Sequence, residues 1–89
     1  MDKNKTSTFS TDNFQLASYL LSKSCRLVSV DKSNPKRAIF IFEDTNQRRA
    51  LTEKFLSYEA KVEPHRFFSA QKDLKQLLYG QGLSSYRMT

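Results

Sequence analysis

Most of the apolar residues in this chain recur at helical spacing, but one stretch breaks that rule: Ala38-Ile39-Phe40-Ile41-Phe42 is apolar at every position. Successive side chains of a strand point to opposite faces, so Ala38, Phe40 and Phe42 share one side and Ile39 and Ile41 the other. A half-exposed strand would alternate apolar with polar, whereas this one calls for cover on both sides. Around it, Phe14, Leu16, Ala17, Leu20 and Leu21 fall in one arc of a helix over 12–23, with Tyr19 and Lys23 opposite. Thr11 is placed to cap that helix, and Asp12 to sit against its positive end. After Ser24 a strand is expected over 25–30, with Cys25, Leu27 and Ser29 facing one way and Arg26, Val28 and Val30 the other. Polar residues 31–36, with Asn34-Pro35, read as a loop, and a second strand covers 37–43.

Asp44, followed by Gln47, has the spacing of a capping box for a second helix over 45–58. Its apolar stripe is Leu51, Phe55 and Tyr58, flanked by Arg48. Residues 59–63 form a linker anchored by Val62. Pro64 suits the first position of a third helix over 64–79, where its missing N–H costs nothing. Phe67, Ala70, Leu74, Leu77 and Leu78 share a face of that helix, and Gly80 is a natural C-cap. Residues 1–7 are polar and expected to be a flexible N-terminus, 8–79 to be the domain, and 80–89 a flexible tail. Phe9 interrupts the polar start and is a candidate for an extra N-terminal strand.

The expectation is a small single α+β domain of order α-β-β-α-α, an antiparallel β-hairpin packed on helices. A two-stranded hairpin alone is marginal in water, so the helices must cover it. Helices one and three are expected on one side. Helix two, the segment around Phe9 or another chain is left for the other.

Composition narrows the class. With 38% hydrophobic and 27% charged residues, an 89-residue chain is globular and forms one domain. The formal charge of +6 favours anionic partners, and equally keeps a small protein soluble. Cys25 is the lone cysteine, so no intrachain disulfide forms, which fits a reducing cytoplasm. Met1-Asp2-Lys3-Asn4-Lys5 leads into polar residues rather than a secretory apolar stretch. The longest apolar run, 38–42, falls far short of the about 20 residues that span a bilayer, so no membrane association is expected.

In order along the chain, Phe9-Ser10-Thr11-Asp12, Leu16-Ala17-Ser18-Tyr19-Leu20-Leu21, Ile39-Phe40-Ile41-Phe42-Glu43-Asp44, and Val62-Glu63-Pro64 with Phe67, Ala70, Leu74 and Lys75 form a combined pattern. In it the chain resembles a family of small bacterial and phage proteins with a domain of unknown function. The resemblance covers about 8–79 and implies that this is the folded unit, with accessory termini. It implies no activity. Cys25 departs from the pattern, standing where a glycine would ease the helix-to-strand turn.

Catalysis finds little support in the residues, and no enzyme is expected. His65 is the single histidine, placed away from the apolar face of helix three, and Cys25 reads as a space-filler at a turn. Glu43-Asp44 is accounted for by strand-to-helix capping. No metal-ligand spacing and no Gly-rich phosphate loop occur, so neither metal, cofactor nor small-molecule substrate is expected.

Binding is better supported. Lys23, Arg26, Lys32, Lys36 and Arg37 face Asp31 alone, a local charge of +4 within 23–37. Lys32, Lys36 and Arg37 would project together from the loop tip, suited to phosphates. On helix three, Phe68, Lys72, Lys75 and Tyr79 line one stripe, suited to stacking on unpaired bases or to a protein interface. Arg48 and Arg49 point apart and would not act as one clamp. The expected function is a non-enzymatic basic module that binds nucleic acid or a nucleic-acid-handling complex. The alternative is a protein–protein adaptor or homo-oligomer using the hairpin edge, Ile39, Ile41 and exposed Leu56.

Overall fold

The computed structural model describes residues 7–79. The expected flexibility of 1–6 and 80–89, and the Gly80 cap, lie outside the described residues. The order is β1 (Thr8–Thr11), α1 (Phe14–Ser22), β2 (Leu27–Asn34), β3 (Arg37–Glu43), α2 (Asn46–Leu56) and α3 (Pro64–Leu78). The fold is therefore α+β, with the strand around Phe9 present: the element order is β-α-β-β-α-α.

The strands form an antiparallel sheet in the order β1-β3-β2, so the doubly apolar strand is central. Phe42 stands between Phe9 and Leu27, and Phe40 between Thr11 and Val30. Phe40 and Phe42 are buried against Leu16, Tyr19, Leu20 and Leu74, with Phe9, Leu27 and Val30 packed around them. Burying one such side chain is worth about 1.5–3 kcal/mol, so this layer holds the domain together. On the opposite face Ile41 lies between Ser10 and Ser29, and Ile39 beside Asp31. Ile39 and Ile41 are partly buried and stay outside the core cluster.

All three helices contribute to the core face. Leu51 and Phe55 of α2 join the cluster, and the Phe55 ring lies 5.9 Å from that of Tyr19. Helix two therefore does not cover Ile39 and Ile41. The same packing corrects the placement of Tyr19 opposite the apolar arc. It is buried because α2 closes over the second side of α1.

Several local expectations give way. Asn13, not Thr11, caps α1: its Oδ1 accepts from the Leu16 N–H at 3.0 Å. Thr11 is committed to the β1 ladder opposite Phe40. Thr45, not Asp44, caps α2, accepting from the Arg48 N–H at 3.0 Å. Glu63 caps α3 through the Arg66 N–H at 2.9 Å, with Pro64 beginning the helix. The loop read over 31–36 is strand as far as Asn34, and only Pro35 and Lys36 turn the chain. Register shifts between Leu27 and Ser29 and between Asp31 and Asn34 accommodate it. The first shift also puts Val30, not Ser29, on the core side. Val62 is exposed and anchors nothing.

Two helices end without glycine. After α1, Ser24 takes a left-handed φ of 71°, its N–H donating to the Leu21 carbonyl and the Cys25 N–H to that of Leu20, both at 3.0 Å. After α2, Tyr58 takes φ 64°, with its N–H on the Phe55 carbonyl and the Glu59 N–H on that of Lys54. Both are Schellman endings, where glycine is the usual occupant. The easier turn thus belongs at Ser24, not Cys25. Tyr58 lies past the end of α2, 96% exposed, and does not extend its apolar stripe.

Candidate functional site

Because residues 31–34 are strand, their side chains alternate between the two faces. Asp31 points with Ile39 to the outer face, where its carboxylate accepts from the Ser33 N–H at 2.9 Å and the Ser33 hydroxyl at 2.7 Å. These bonds hold its carboxyl below the usual range. Lys32 points the other way, toward α3, and its Nζ donates to the Leu77 carbonyl at 2.8 Å. That carbonyl belongs to the last turn of α3, the negative end of the helix dipole. Arg37 Nε donates to Asp12 Oδ2 at 2.7 Å across an exposed pair. Lys36 sits in the turn, its N–H on Asn34 Oδ1 at 2.9 Å. Among the described residues its ammonium has no partner.

The three cations therefore do not project as one free group, as the loop reading expected. Lys32 of β2 is tied to α3, and Arg37 of β3 to Asp12 in the turn between β1 and α1. They still line one groove of about 420 Å³ with Pro35 and Tyr79, and among the described residues no carboxylate lines it. Tyr79 is 77% exposed. It is also the last residue of the α3 stripe, whose other members Phe68, Lys72 and Lys75 are all exposed. The fold thus joins the hairpin tip to one end of the stripe, a juxtaposition the sequence pattern did not reveal. Arg26 lies at the far end of β2, about 25 Å along the strand from the tip. It is exposed and separate from the groove.

The partner-surface residues also divide. Ile39 and Ile41 share the outer sheet face, whereas Leu56 is exposed at the end of α2. The hairpin edge offered by β3 is closed by β1, which leaves β1 and β2 as the sheet edges.

A charged brace went unseen in the sequence. Arg48 is 8% exposed. It reaches Asp44 Oδ1 through Nη2 at 2.7 Å and Nε at 3.2 Å, and Thr52 Oγ1 through Nη1 at 3.1 Å. Its guanidinium lies 3.8 Å from the centroid of the Phe9 ring. Arg49 Nε also approaches Asp44 Oδ1, at 3.4 Å. Arg48 and Arg49 therefore converge on one carboxylate, contrary to the helical-wheel expectation, because Asp44 sits just before the helix, where both can reach back. The Arg48 hydrogen bonds chiefly hold the Asp44 carboxyl below the usual range. The brace ties α2 to β1. Its signal was the i, i+4 Asp–Arg spacing, legible as a pair but not as a buried one.

Cys25 is buried, and burial pushes its thiol up while the Arg48 charge acts the other way. His65 is exposed at the start of α3, 3.7 Å from Glu63 Oε2. Among the described residues, no group of His, Cys, Asp and Glu side chains is arranged to hold a metal ion. None of the described helices is long and apolar enough to cross a membrane.

Neither a curated protein nor a solved structure matches the chain. One family model does, over residues 6–80, which takes in every element from β1 to α3. The chain belongs to the family described as Domain of unknown function (DUF5659).

Proposed function

We propose that this domain is a non-enzymatic, cytoplasmic binding module for nucleic acid, acting alone or within a nucleic-acid-handling complex. One observation carries the reading. Lys32, Lys36, Arg37 and Tyr79 line a single groove, and among the described residues no carboxylate is part of its lining. Ammonium and guanidinium groups neutralise phosphates, and an exposed tyrosine offers a flat face to an unpaired base. The stripe of Phe68, Lys72 and Lys75 continues from Tyr79 along α3 and would extend the contact. Arg26 is too far along β2 to share it.

The test is fluorescence anisotropy with labelled single- and double-stranded DNA and RNA across a salt series. Neutralising about three phosphates predicts a slope of about −2 in log K against log salt for a single strand. Lys36→Ala should flatten that slope by about 0.7 and weaken binding without regard to sequence. No binding at about 50 mM salt would sink the proposal, because charge-driven association is strongest there.

A second reading rests on Ile39 and Ile41, two apolar side chains outside the core cluster on the outer sheet face. They would suit a protein partner or a second copy. Light scattering across micromolar concentrations decides the homo-oligomer version, which a strict monomer removes. Pull-down from the native host addresses a different partner.

A further inference from the structure

Tyr58 stands out in the rest of the molecule. It occupies the left-handed position that ends α2, with φ 64°. An L-residue there costs roughly 1–2 kcal/mol over the right-handed region, and glycine avoids this. Burial does not offset the cost, because the side chain is 96% exposed. Strain held at an exposed aromatic is a reason to look for a ligand. Tyr58 borders a groove of about 600 Å³ that α1, α2 and the start of the α2–α3 connection line together. Among the described residues, Lys23, Lys54 and Lys61 line that groove with Glu59 as its one carboxylate. Lys23 Nζ lies 5.9 Å from the centre of the Tyr19 ring, which places one ammonium over the groove wall.

We infer that this corner is a second contact for single-stranded nucleic acid: one unpaired base stacks on Tyr58, and its flanking phosphates meet Lys23, Lys54 and Lys61. The inference rests on the nucleic-acid reading above but uses none of the hairpin-groove residues. A single strand fits better than a duplex, because a fully exposed ring needs an unstacked base to pair with. It also fits better than an acidic peptide, which would use the ammoniums and leave the ring without a role.

Tyr58→Gly tests it with stability and binding separated. Removing the left-handed strain raises the melting temperature, so weakened binding cannot be blamed on unfolding. Tyr58→Asn, another residue at ease in this conformation, removes the ring in a second way. Tyr58→Phe keeps it. For a labelled single strand, both ring-less variants should lose about tenfold in affinity, the order of one base–aromatic stack. Tyr58→Phe should match the wild type, and duplex affinity should not change. Unchanged single-strand affinity in Tyr58→Gly and Tyr58→Asn overturns this inference alone. An equal loss on duplex overturns stacking, and Tyr58-dependent binding of poly-glutamate reassigns the corner to a protein ligand. A wild type that binds no nucleic acid removes the broader reading and this one together.

Discussion

Ser24→Gly should make the protein more stable. Ser24 follows α1 with φ 71°, and its own N–H and that of Cys25 close the helix on the Leu21 and Leu20 carbonyls. Both bonds are made by the backbone, so glycine keeps them. The serine side chain is exposed, and among the described residues its hydroxyl has no partner, so nothing is lost with it. Left-handed backbone costs an L-residue about 1–2 kcal/mol. Glycine returns about 0.5–1 kcal/mol of this through its freer unfolded chain. The net gain is about 0.5–1 kcal/mol. With a urea m-value of about 1–1.5 kcal/mol/M for a chain this small, the midpoint should rise by about 0.3–1 M. The melting temperature should rise by about 2–8 °C. Far-UV circular dichroism across a urea series measures this, and Ser24→Val, β-branched in the same conformation, should move the midpoint down. If Ser24→Gly is neutral or destabilising at unchanged m, the helix end is not closed as described.

Leu74→Ala should destabilise by about 2–5 kcal/mol, because Leu74 is fully buried where α3 meets Phe40 and Phe42. A loss under about 1 kcal/mol in urea unfolding would mean that α3 does not seal the sheet. Stability should also fall at both ends of the pH scale. Asp44, Glu63 and Asp31 have lowered carboxyl values, from the Arg48 bonds, the Arg66 and His65 N–H groups, and Ser33 respectively. Their contribution is present above the ordinary carboxylate value of about 4 and is lost as pH falls through the lowered folded values. Cys25 and Tyr19 are raised chiefly by burial, so their contribution is full below their unfolded values and lost as pH rises through the folded ones. Urea midpoints from about pH 2 to 10 should therefore show a plateau between about 5 and 8. A midpoint that climbs below about pH 4 would contradict the Asp44 brace.

The central strand and its two-faced character were legible because β3 has no polar position to disguise it. The core arcs of α1 and α3 were legible from their helical spacing, and Pro64 at the start of α3 from its missing N–H. What escaped was set by tertiary context. β2 continues through Lys32, Ser33 and Asn34 because an edge strand tolerates polar residues on its solvent side, so its composition imitates a loop. Tyr58 looked like part of the α2 stripe because its spacing from Leu51 and Phe55 is helical, and no glycine marks the point where the helix stops. The burial of Arg48, beside the α2 stripe, is not legible because no local pattern says that Phe9 of a distant strand will cover its guanidinium. The site was half legible. The basic hairpin and the α3 stripe each appear in the sequence, but their meeting at Tyr79 depends on where α3 ends against β2.

β1 pairs with β3 through Thr8 and Glu43, thirty-five positions apart, whereas β2 reaches β3 through a two-residue turn. The hairpin closes a short loop, and β1 a long one that includes all of α1. At about 5–20 residues per second, a growing chain carries β1 unpaired for some 2–7 seconds before Glu43 is added. Through that interval Phe9 lacks both its strand partner and its arginine cover. The newly made β3 then offers the same open edge to the β1 of any neighbouring chain. Crowded nascent chains could thus exchange first strands, because the Arg48 cover that Asp44 holds over Phe9 forms equally well with the β1 of either chain.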